Sequence, residues 1–196
     1  MTRVAKVEIE NWDPELRAMT RADEATPLEQ GLMRIFANVP DLAKAFVKFG
    51  GAMKMTRTLS PRLVELVRLR VAFHNQCRSC MAIRYTEAAN DGVTEDLVCS
   101  LERPAQATNL TEAEKAAIDY GERFATNHLS IDDAVYDNLR EHFTEAQIVE
   151  LGTTVAFFVG FGRLAATWHM VEELPKTFQE SEDVIAPWKQ EAILVR

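Results

Sequence analysis

Apolar positions recur along most of this chain every three or four residues, and no segment shows sustained two-residue alternation. Leu28, Leu32, Ile35 and Phe36 mark one amphipathic segment, which Pro40 ends. Leu42, Ala45, Phe46 and Phe49 mark the next, with Asp41 placed to cap its start and Gly50-Gly51 to stop it. Ser60 followed by Pro61 is a strong helix start, a hydroxyl cap ahead of a proline at the first helical position. Beyond it Leu63, Val64, Val67 and Val71 form one stripe and Leu66, Leu69 and Phe73 another, so this helix is predicted to be central. Thr111 with Glu114, Ser130 with Asp133 and Thr144 with Gln147 read as capping boxes, each preceding an apolar helical pattern. Residues 94–102 give a short helix carrying Cys99, closed by Pro104. The pattern therefore predicts an all-α chain, a bundle of about eight helices joined by short loops.

Three regions follow from the same pattern. Residues 1–27 are mixed and polar, broken at Trp12-Asp13-Pro14 and Thr26-Pro27, and read as a loosely built arm. Residues 28–174 form the helical domain. Residues 175–196 carry Phe178, Ile185, Trp188 and Leu194 among acidic positions, which suits a tail laid over a neighbouring subunit of a homo-oligomer. The most apolar run, Gly152 to Gly162, meets Arg163 well short of the roughly 18 residues a membrane span needs, and reads as a core helix.

Composition narrows the function classes. A chain of 196 residues with 47% hydrophobic and 27% charged positions is globular and long enough for a substantial core. A net charge of -8 with no basic cluster argues against nucleic acid. The first residues alternate charge with single apolar positions and lack the apolar centre of a signal peptide, so a cytoplasmic protein is expected. Two of the three cysteines form a C-x-x-C pair, which in a reducing compartment points to redox or metal chemistry.

That pair lies in the one stretch dense in reactive groups, Glu65 to Gly92. Asn75-Gln76 is expected to end the central helix, and Cys77 to open another running to Asp91. On such a helix Cys77, Cys80 and Arg84 fall at i, i+3 and i+7, on one face. Glu65, flanked by Arg62, Arg68 and Arg70, is either a buried base or a solvated ion pair. Cys77, nearer the helix start, feels the dipole more and on physical grounds is the better exposed thiolate, so the roles of the two thiols stay open. His74 with both cysteines lacks a fourth zinc ligand at usual spacing, and neither metal nor cofactor is expected. Cys99 reads as a small buried hydrophobe, His128, His142 and His169 as surface or capping residues, and Arg163 and Trp168 as packing residues.

The order of a Ser/Pro-started helix carrying Glu65, then Cys77-x-x-Cys80, then a helix ending in Gly-Val-Thr-Glu resembles the carboxymuconolactone decarboxylase-like superfamily, in its alkylhydroperoxidase D-like branch. The resemblance is closest from about Pro40 to Tyr120. It implies an alkylhydroperoxidase D-like all-α fold, a homo-oligomer and a thiol peroxidase acting on a small-molecule peroxide. Cys80 would attack, Cys77 would resolve the resulting sulfenic acid as a disulfide, Glu65 would be the base, and an external dithiol would reset the pair. The family's relay histidine, four residues after the second cysteine, is Arg84 here, and the position between the cysteines is Ser79. Arginine stays charged and cannot shuttle a proton, so either the chain keeps thiol reactivity with some loss of peroxidase efficiency or His74 or Tyr85 takes the relay. The alternatives are a lactone decarboxylase, which needs no cysteine pair, and a non-catalytic redox-sensing oligomer.

Overall fold

The computed structural model describes residues 2–179, 183–189 and 192–196. Its elements run α1 (Pro14–Thr20), α2 (Pro27–Gln30), α3 (Met33–Phe36), α4 (Pro40–Met55), α5 (Pro61–Asn75), α6 (Arg78–Ala82), β1 (Ile83–Tyr85), α7 (Thr86–Asn90), α8 (Glu95–Cys99), α9 (Glu112–Thr126), α10 (Asp133–Arg140), α11 (Glu145–Trp168), α12 (Lys176–Gln179) and β2 (Ile193–Val195). Among the described residues the fold is all-α apart from one parallel pair, in which β1 and β2 match Ile83 to Ile193 and Tyr85 to Val195. The described residues hold twelve α-helices against the expected eight, because two predicted helices are divided and the arm and the tail each add a short one, α1 and α12.

The first division is at Gly31, whose φ of 47° separates α2 from α3. The second is at Ala82, where the helix expected to run from Cys77 to Asp91 gives way to β1. Conversely, α4 runs through Gly50-Gly51 to Met55. Glycine weakens a helix but stops it only where the backbone takes a positive φ, and neither of these does. The caps at Ser60, Thr111 and Thr144 form as expected, the latter two as reciprocal boxes. Ser130 does not cap: its hydroxyl donates to Asn127 O, and Asp132 accepts from Val135 N instead.

Helix α5 is the centre, with α9 and α11 packed along it. Leu66, Val67, Leu69 and Val71 are fully buried there against Ala117, Ile118, Leu151 and Val155. Two glycines permit close approach. A Cβ at Gly121 would stand 3.1 Å from Val67 Cγ1, and one at Gly162 would stand 2.5 Å from the Asn75 amide nitrogen. Helix α11 is long and apolar enough, by length and composition, to cross a membrane; here Ile148, Leu151, Val155 and Val159 bury one face of it in the core.

Both chain extensions pack on this core. In the first 27 residues, read as a loose arm, Trp12, Leu16 and Ala22 are buried with Phe36 and Ala43 against Phe161 and Trp168. The tail lies on its own chain: Phe178 and Ile185 are buried with Met81 and Ala82, and Trp188 packs on Phe73 and Arg70.

Candidate functional site

The dithiol stands on a sharp reversal between α5 and α6. Gln76, at φ 49°, takes the left-handed conformation that ends α5, and Cys77 N donates to Ala72 O, so α6 begins within three residues. The reversal is fastened by Gln76, whose side chain donates to Ile185 O and accepts from Ile185 N. Cys77 and Cys80 are disulfide-bonded, with Cα atoms 5.2 Å apart. Cys77 is fully buried, whereas Cys80 is half-buried. The expectation that Cys77 would be the better exposed thiol is therefore reversed.

Glu65 is both buried and paired, so its two readings are not alternatives. Its carboxylate takes a two-pronged bond from Arg68, Nε to Oε2 and Nη2 to Oε1, both at 2.7 Å. Two further Arg68 N–H groups donate to Cys80 O at 2.6 Å and Ile83 O at 2.9 Å. Those are carbonyls that a continuing helix would use for its own turns. Their capture by a buried guanidinium accompanies the change from helix to strand at Ile83. The change matters because strand side chains alternate faces: Ile83 and Tyr85 turn toward the dithiol and Arg84 turns away.

A cavity of about 390 Å³ opens beside Cys80. Phe46, Phe157, Phe158 and Phe161 give it an aromatic wall, Leu28 to Met33 a second side, and Val195 of the C-terminal strand a third. Cys80, Arg68 and Tyr85 face into it, and Cys77 does not. Its rim is latched where Arg196 donates to Glu29 Oε1 at 3.1 Å, a contact that holds the Glu29 carboxyl at about 2. A smaller cavity of about 230 Å³ lies behind this wall and is reached by Glu65, Lys54, Arg57 and Glu87. Arg68 and Tyr85 are the polar residues that line both. Burial pushes the Tyr85 phenol above its ordinary pKa, and the Arg68 guanidinium carbon lies 5.0 Å from its ring centre.

Residues 40–123 match the sequence profile of the carboxymuconolactone decarboxylase family. The fold is that of the crystal structure of the alkylhydroperoxidase AhpD core, a peroxidase-related protein from Ralstonia eutropha JMP134, with a TM-score of 0.71 at 20% identity over 91% of this chain and 94% of that one. The likeness to the carboxymuconolactone decarboxylase family thus spans somewhat less than half of this chain, and the likeness to the alkylhydroperoxidase D-like structure is one of fold. The debrominase Bmp8, solved in complex with 2,3,4-tribromopyrrole, shares the fold with a TM-score of 0.72 at 18% identity, over 91% of this chain and 96% of that one. An uncharacterized protein of Mycobacterium tuberculosis is 35% identical over 111 residues, which make up 56% of this chain and 38% of that protein's length.

Two expected site residues lie elsewhere in this fold. Arg84, read as facing the thiols, is buried on the far side of β1, bonded to Glu95 Oε1 at 3.0 Å and to Pro187 O at 2.9 Å. It holds α8 and the tail together. His74 leaves α5 about 200° round from Ala72 and sits 3.3 Å from Glu122, beside Arg70. Neither residue lines the Cys80 cavity. Among the described residues no cluster of His, Cys, Asp and Glu is arranged to hold a metal ion. Cys99, expected to be buried, is exposed and free. Arg68 is the site residue that the sequence did not single out; its only signal is a position three residues after Glu65, on the face that continues through Ala72 and Asn75.

Proposed function

We propose that the chain is a thiol-dependent peroxidase in which Cys80 attacks an organic or hydrogen peroxide and Cys77 resolves it. The observation that carries this reading is the Cys77–Cys80 disulfide with one residue facing an aromatic-walled cavity and the other fully buried. A thiol that meets substrate first and a shielded thiol three residues away is the arrangement a sulfenic acid intermediate needs if it is to be trapped before further oxidation. Glu65 is the base of this scheme, held behind Cys80 by Arg68. An external dithiol resets the disulfide by attacking at the cavity side. The scheme also carries over a homo-oligomer in a reducing, cytoplasmic setting, without nucleic acid, membrane or cofactor. The apolar positions left exposed on α4 and α11, Leu42, Phe49 and Val149, are the surface for such assembly.

The test is steady-state peroxide consumption with a dithiol reductant, together with mass spectrometry after one equivalent of peroxide. The native chain is expected to lose two hydrogens, two protons with two electrons passed to the peroxide, as Cys77 and Cys80 pair, with Cys99 spared. Cys80→Ser should abolish turnover, and Cys77→Ser should let Cys80 pass to higher oxidation states. Turnover surviving in Cys80→Ser would sink the assignment. Activity on a lactone in a Cys77→Ser/Cys80→Ser double variant would revive the decarboxylase reading. A second redox reading draws on the aromatic wall: reductive removal of halogen from a flat haloaromatic, the dithiol supplying two electrons and two protons to give the arene and hydrogen halide. Halide release without peroxide consumption would select it.

A further inference from the structure

A peroxidase needs a proton for its leaving group as well as a thiolate. Attack of Cys80 on R–O–O–H expels an alkoxide, a strong base whose departure is slow unless it is protonated as the bond breaks. The family's histidine is absent, Arg84 is turned outward, and His74 is held at Glu122. Arg68 faces the cavity but cannot release a proton. Glu29 is tied to Arg196 at the rim, and Glu65 reaches only the smaller cavity. Tyr85 remains. Its side chain lines both cavities, and its hydroxyl donates to no described residue.

Resting on the peroxidase reading above, we propose that Tyr85 is the general acid of this site, giving its phenolic proton to the departing oxygen. The Cys80 thiolate forms an S–O bond to the terminal hydroxyl oxygen; the O–O bond breaks and its electron pair leaves with RO, which takes the Tyr85 proton to become ROH. Cys80 is oxidised by two electrons to the sulfenic acid, and the peroxide is reduced by two. The proton of the Cys80 thiol reaches Glu65 by way of the Tyr85 hydroxyl, which stands between the two cavities, and Glu65 returns it to the tyrosinate across the second cavity, which has room for water. Cys77 then displaces hydroxide from the sulfenic sulfur, and that hydroxide leaves as water with the Cys77 proton. Burial keeps the phenol protonated at neutral pH, and an alkoxide is still a far stronger base. The strand makes the placement possible: a helix through residue 85 would have sent Arg84 to the thiols in its stead.

The experiment is a rate series with peroxides of graded leaving groups, from alkyl hydroperoxides (alkoxide) to peroxy acids (carboxylate). The native chain should show a shallow dependence. Tyr85→Phe keeps the ring and loses only the hydroxyl, so alkyl hydroperoxide reduction should fall by about 10²-fold and the dependence should steepen. An equal loss across the series, or none, overturns the proposal. Should the phenylalanine variant fail to fold, 3-fluorotyrosine placed at position 85 lowers the phenol pKa with little change in shape. The groups facing it are Arg68 and Glu65 from α5 and Glu87 from α7, with Lys54 and Arg57 across the second cavity. The alkaline limb of turnover should move to lower pH, and an unmoved limb overturns the assignment. A native chain that reduces no peroxide sinks the peroxidase reading and this one together; a native chain that reduces them all while Tyr85→Phe keeps the shallow slope sinks this one alone.

Discussion

Arg68 joins what would otherwise be separate parts. Its guanidinium neutralises Glu65 and fixes the carbonyls at Cys80 and Ile83. Arg68→Met would strand a buried carboxylate and two carbonyls, and loss of one partner of a buried pair costs about 3–5 kcal/mol. Urea unfolding should show that loss. The double variant Glu65→Gln/Arg68→Met should recover part of it, because no charge is then left unpaired. Additive losses would mean the pair is not coupled. Glu65, Cys77 and Cys80 were legible in the sequence because their chemistry and spacing are unusual. Arg68 was not, since Arg62, Arg68 and Arg70 look alike along the chain. Each finds a carboxylate, Glu114, Glu65 and Glu122 respectively, and only the rotation of α5 decides which one faces the thiols.

Helix starts were well marked in the sequence, and helix continuity was not. The hydroxyl caps at Ser60, Thr111 and Thr144 each act within three residues of themselves, so local sequence settles them. The break at Ile83 depends on a strand whose partner comes from the end of the described chain, which no local pattern reveals. The crossing of α5 and α11 is equally non-local. There the Asn75 side chain donates to Phe158 O and accepts from Arg163 Nε, filling the space a side chain at position 162 would need. Gly162→Ala should therefore destabilise by about 1–3 kcal/mol through overpacking, read as a fall in thermal midpoint, with the Asn75 amide displaced toward the Cys80 cavity. An unchanged midpoint would show that the crossing is looser than its geometry implies.

For the molecule as a whole, acid is the condition most directly tied to its geometry. Glu122 joins α9 to α5: His74 and Arg70 beside it hold its carboxyl at about 2 against an ordinary value of 4.5. A depressed pKa stabilises the fold above the unfolded value and is lost as pH falls through the folded one. Stability should thus decline from about pH 4.5 toward 2, and Glu122→Gln should flatten that limb in a circular dichroism titration. An acid limb with the native slope in that variant would assign it to other carboxylates. Glu29 titrates over the same window, so acid also frees the Arg196 latch at the cavity rim. The all-α class and the central α5 were legible from periodicity alone. The tail was not, because Phe178 and Ile185 are apolar residues that any covering surface would satisfy, and here Met81 and Ala82 of their own chain do so.

The pairing of β1 with β2 also orders events in time. Ile83 and Ile193 are 110 positions apart (193 − 83), and closing so long a loop is slow beside the formation of local helical turns. A refolding chain therefore brings Glu65, Cys77 and Cys80 together on α5 and α6 before Tyr85 is fixed and Val195 completes the cavity. During that interval the thiols are assembled but unsheltered, so oxidant present while the protein folds reaches Cys80 without passing the aromatic wall that flanks it in the finished molecule.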